Sequence, residues 1–103
     1  MIELRIPKKE VDYWNELLAM GEVDFEEHEL DEGCVMSWTI DLGNGVVADL
    51  NVIGACGGDY LWSEMVWYKD GYEIACADPD DGLDGEWHCD GHPEYSVNVV
   101  AVE

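Results

Sequence analysis

The chain has 103 residues, of which 48% are hydrophobic, so it is long enough for one folded domain and too apolar for a disordered one. Its 25 acidic residues face only four basic ones, Arg5, Lys8, Lys9 and Lys69, for a formal net charge of −21. Such a field excludes direct binding to nucleic acid or to an anionic membrane, and it favours cations or basic protein surfaces.

The first segment, MIELRI, alternates Ile2, Leu4 and Ile6 with polar residues and reads as a short strand. It has no apolar run of signal-peptide length, and no segment approaches a membrane span, so a cytoplasmic protein with reduced cysteines is expected. Pro7 suits the first turn of a helix. Val11, Trp14, Leu17 and Leu18 then recur at helical spacing, and Gly21 follows as a stop. Residues 7–20 are therefore read as one amphipathic helix, and it is the only strong helical pattern in the chain.

Residues 23–30, VDFEEHEL, alternate weakly and suggest an edge strand. Beyond them, Met36, Trp38, Ile40 and Leu42 alternate with polar residues, as do Val46, Ala48, Leu50 and Val52. Pairing Leu42 with Val46 across a three-residue loop puts both apolar rows on one face; a two-residue Asn-Gly turn mixes the faces. In LWSEMVWYKDGYEIACA, a two-residue Asp70-Gly71 turn pairs Trp67 with Ile74 and Met65 with Cys76. A last hairpin joins EWHC to EYSVNVVAV, with Trp87 opposite Tyr95. The expected architecture is a single α+β domain over 1–103, one N-terminal helix packed on an antiparallel meander of about six to eight strands.

WHCDGH, residues 87–92, is the obvious place to look for chemistry, because Cys89 and His92 have the spacing of half a zinc knuckle. A structural zinc site takes four ligands, and no second local pair exists in the chain. A thiolate nucleophile would need nearby positive charge, whereas Glu86, Asp90 and Glu94 flank Cys89. The segment DPDDGLDGE, 78–86, fails the EF-hand spacing in both registers and reads as an acidic turn. No G-x-S-x-G, H-E-x-x-H, P-loop or dinucleotide fingerprint is present. These patterns point to a protein with no enzymatic activity, no cofactor and no resident metal, with WHCDGH as a hairpin tip held by Trp87.

The strongest signal is the distribution of carboxylates. EVDFEEHELDE carries seven acids in eleven residues. On an extended strand, alternate residues project to one face about 6.6 Å apart. Glu22, Asp24 and Glu26 would make one such row and Glu27, Glu29 and Asp31 another, with Glu32 beyond. Asp78, Asp80, Asp81, Asp84 and Glu86 form a second acidic patch. A duplex also offers regularly spaced anions to basic proteins. Trp62 and Tyr68 are candidate anchors for a partner.

In size, charge and these two acidic segments, 22–32 and 78–86, the chain resembles the small nucleic-acid-mimic inhibitors of phages and mobile elements, the anti-CRISPR and anti-restriction proteins. The resemblance implies steric inhibition: the acidic surface occupies the nucleic-acid channel of a nuclease complex. The expected partner is thus a basic protein, a nucleic-acid-binding enzyme or nuclease complex, met by a monomer or weak dimer. Three alternatives stay open at this level: an immunity protein or antitoxin facing a basic toxin nuclease, a metal-binding module at Cys89 and His92, and a plain acidic domain whose charge serves solubility or salt adaptation without a cationic partner.

Overall fold

Seven strands and one α-helix make up the computed structural model, which describes residues 2–55, 59–78 and 82–103. Strand β1 (Ile2–Pro7) leads directly into helix α1 (Lys8–Ala19). The helix buries Val11, Trp14 and Leu17 on one stripe, as the spacing predicts. Pro7 stands one residue before the helix rather than in its first turn, and Gly21, at φ 77°, takes the left-handed conformation that ends it.

Strands β2 (Gly33–Gly43), β3 (Val46–Gly54), β4 (Leu61–Lys69) and β5 (Tyr72–Ala77) form a four-stranded antiparallel meander. In β2 and β3 the expected pairs are present: Met36 opposite Val52, Trp38 opposite Leu50, Ile40 opposite Ala48. The turn differs from expectation. Asn44 and Gly45, both at positive φ, make a two-residue turn, and a bulge between Asp41 and Gly43 adds the residue that restores parity. The Asp70-Gly71 turn forms with both residues at positive φ. A bulge beyond Tyr68 then slips β5 by one, so Met65 faces Ala77 and Cys76 faces Val66. Cys76 thereby leaves the core face on which the sequence placed it.

A second sheet has the order β1, β7 (Val97–Val102), β6 (Gly85–Trp87). The expected α+β class, one N-terminal helix on antiparallel sheet, holds; the departure here is that β1 and β7 run parallel, with Leu4 opposite Val99 and Ile6 opposite Ala101. Parallel neighbours require a long crossover, and in this chain everything between the two strands supplies it. Trp87 pairs with Val97 instead of Tyr95. The loop keeps its odd length, but Pro93–Tyr95 coils into a 3-10 turn, so β7 starts two residues late.

One core joins α1 to the inner faces of both sheets, with Ile6, Leu50, Met65, Trp67, Leu83 and Val97 fully enclosed. Buried polar groups are tied across it. Trp67 Nε1 donates to Tyr95 O at 2.8 Å, Trp87 Nε1 to Leu83 O at 2.8 Å, and Ser63 Oγ to Gly82 O at 3.0 Å. Among the described residues, no helix is long and apolar enough to cross a membrane.

Candidate partner-binding surface

The acidic segment after α1 is not a strand. Asp24 Oδ1 accepts the Glu27 N–H at 3.2 Å, and backbone bonds run from His28 N to Asp24 O and from Leu30 N to Phe25 O. Short side-chain to backbone bonds of this kind compete with a sheet ladder, and here they coil the segment into successive turns, with Glu29 at φ 55°. The two straight rows of carboxylates therefore do not form. Val23 is fully buried, and its N–H donates to Asp59 O. Phe25 and Leu30 pack on the core.

Glu22, Asp24, Glu26, Glu27, Glu29, Asp31 and Glu32 are all exposed. Four of them, Glu22, Asp24, Glu26 and Glu27, line an open hollow of about 610 Å³ together with Asp59, His28 and the apolar Met20, Val23 and Phe25. Asp59 is the member that sequence inspection missed, since it is a lone acid next to a glycine run.

The second sequence patch divides. Asp80 and Asp81 lie outside the described residues. Asp84 accepts a hydrogen bond from Asn15 Nδ2 at 2.8 Å, while Asn15 Oδ1 accepts the Leu83 N–H at 2.7 Å, so this acid helps tie its loop to α1. Glu86 stays exposed on β6, 3.6 Å from His88 Nε2. Asp78 follows β5, where its carboxylate, that of Glu64 and the Cys76 thiol lie within 4.8 Å of one another.

Strand parity gathers further acids on the outer face of the meander. Asp49, Glu64 and Val66 project there with Trp62 and Tyr68, opposite in sense to the enclosed row Leu61, Ser63, Met65 and Trp67. Thr39 Oγ1 donates to Asp49 Oδ1 at 2.7 Å and Ser37 Oγ to Asn51 Oδ1 at 2.7 Å, which fixes the β3 side chains. Burial, and then Asp49, Glu73 and Glu64, push the Tyr68 hydroxyl above its ordinary pKa. Burial, and then Glu64, Asp78 and Glu73, raise the Cys76 thiol.

In WHCDGH, Cys89 is part of the core at 2% exposure rather than at the hairpin tip. Its N–H donates to Ser96 Oγ at 3.0 Å. Burial, and then Glu94 and Asp90, raise its pKa, which keeps the thiol protonated and a poor nucleophile. Among the described residues, neither Cys89 nor His92 belongs to a group of three metal-ligating side chains. Comparison with protein-family models, with curated proteins and with solved structures gives no match to this chain.

Proposed function

We propose that the protein is a non-enzymatic inhibitor that presents a DNA-like acidic surface to the basic nucleic-acid site of a nuclease complex, in the manner of anti-CRISPR proteins. The observation that carries this reading is the run of seven exposed carboxylates between Glu22 and Glu32, in a chain of net charge −21. Four of these acids and Asp59 line one hollow together with the apolar Met20, Val23 and Phe25. That combination suits a long cationic side chain, whose stem covers apolar surface while its head meets carboxylate. Cytoplasmic residence follows from the same reading, because such targets are there. Thiols with raised pKa and the absence of a nucleophile motif support a steric role over a chemical one.

The test is charge reversal. A variant carrying E22K, E26K and E27K should stay folded, since these side chains are exposed and the turn-forming Asp24 carboxylate is left in place. Its binding to CRISPR effector complexes and restriction nucleases, measured at low salt, should fall by more than about tenfold, the effect of even one close interfacial charge pair. Binding at wild-type strength would place the contact elsewhere on the molecule.

A further inference from the structure

Strand β4 carries two rows of opposite character. Leu61, Ser63, Met65 and Trp67 point inward and are enclosed. Trp62, Glu64, Val66 and Tyr68 point outward, and all but Val66 keep part of their surface in solvent. The neighbouring strand adds Val47, Asp49 and Ile53 to the outer face, each half-buried. Tyr60 extends the row, with its ring 5.7 Å from that of Trp62. The face is thus aromatic and aliphatic, with carboxylates set between the apolar groups.

Nothing cationic balances them. Among the described residues, the single cation of this sheet is Lys69, and strand parity puts it on the side of Trp67, away from Tyr68. Burial first, and then these carboxylates, raise the pKa of Tyr68 and of Cys76 on the same face. Apolar groups that keep part of their surface in solvent among polar ones suit an interaction site. A second copy of the chain is a poor occupant, because it would press carboxylate against carboxylate.

We infer that the outer face of the four-stranded sheet is a docking face for an arginine-rich surface of a protein partner. Guanidinium is the group whose chemistry matches both components. Its flat face stacks on Trp and Tyr rings, and its edge donates paired hydrogen bonds to a carboxylate. A lysine ammonium is a compact, strongly hydrated charge that meets a ring face less often and lacks the flat face and the paired donors. The inference rests on the proposed function in one respect, that the partner is basic. It adds that the partner reads this face through arginine.

The experiment titrates the intact protein with an oligo-arginine peptide and an oligo-lysine peptide of equal length at low salt, following indole N–H signals by NMR. The arginine peptide is expected to bind about 5- to 30-fold more tightly, the gain from one or two cation–π contacts at about 1 kcal/mol each. It should shift the Trp62 indole signal and leave that of Trp67, which is held by Tyr95 O in the core, in place. W62A combined with Y68A should bring the ratio of the two affinities toward one, and W62F should retain most of it. The reversals at Glu22, Glu26 and Glu27 should weaken both peptides and leave the ratio intact. Equal affinities with an unmoved Trp62 signal would overturn the sheet-face inference while leaving a basic partner standing. Failure of both peptides to bind would overturn both readings. The wild-type ratio and the Trp62 shift decide the matter even where a variant fails to fold.

Discussion

Trp67 shows how one residue holds several elements in register. It is fully enclosed, and its indole N–H reaches Tyr95 O, so it joins the meander to the turn that precedes β7. Trp67→Phe keeps most of the volume but removes the donor, leaving a carbonyl without this partner. A loss of about 1–3 kcal/mol is expected, read as a lower urea midpoint at unchanged slope. The cysteines make a second residue-scale prediction. Cys89 is enclosed, and Cys34 and Cys76 are exposed. Peptide mapping after brief iodoacetamide treatment at pH 8 should find Cys89 unmodified in the folded protein. Cys76 should react more slowly than an unstructured thiol, because burial and the Glu64, Asp78 and Glu73 carboxylates favour its protonated form. Glu64→Gln removes one of those charges and should speed the reaction. The sign for stability follows from the same shifts. Cys76, Cys89 and Tyr68 hold their protons more tightly folded than unfolded. Their contribution is therefore complete below the ordinary thiol value and is lost as the pH rises through the raised values.

At the scale of elements, the contact between the acidic turns and the meander turns on Gly54. A Cβ there would lie 2.8 Å from Asp31 O and 3.3 Å from the Phe25 ring. Backbone on one side and a packed ring on the other leave little room to yield. Gly54→Ala is expected to cost about 1–3 kcal/mol and to shift the amide signals of residues 25–31, while those of β6 and β7 stay put. Unmoved signals at 25–31 would show that the turns are not held against β3. The same elements show what a single chain makes legible. The amphipathic helix and the facing rows of β2 and β3 are readable because their periods, 3.6 and 2, repeat over many residues. The bulges near Leu42 and Ile74 each add one residue and are set by packing across the sheet, so no local pattern announces them. The parallel pairing of β1 with β7 joins the two ends of the chain and leaves no trace in either strand alone. For the candidate surface, the acids of 22–32 were visible as composition, but their arrangement was not. Asp24 turns the backbone by accepting the Glu27 N–H, a local bond that Asp favours in turns, and the weak alternation of 23–30 outweighs that signal in the strand reading. The outer row of β4 was readable in principle from parity, once that strand is known to have one enclosed face.

For the whole molecule, a charge of −21 on 103 residues predicts opposite effects of salt on folding and on binding. Like charges on a folded chain stand closer together than on an unfolded one, so the compact state carries the larger repulsion. The described ion pairs offset little of it. Lys8 with Asp12 and Arg5 with Glu3 are exposed contacts, and exposed pairs contribute no more than about 1 kcal/mol. The screening length falls from about 10 Å at 0.1 M salt to about 3 Å at 1 M, which relieves repulsion between separated carboxylates throughout the surface. The melting temperature should therefore rise as sodium chloride is added across this range, before any specific ion effect enters. Association with a basic partner has the reverse sign, because screening weakens attraction between the two surfaces and slows their encounter. Measured on one preparation, the melting temperature should climb while affinity for the partner, or for an oligo-arginine peptide, declines. If both rise together, apolar contact dominates the interface, and the aromatic row of β4 rather than its carboxylates carries the binding. If melting temperature is insensitive to salt, the carboxylates are too well separated and hydrated to repel, and net charge would not be what limits the stability of this fold.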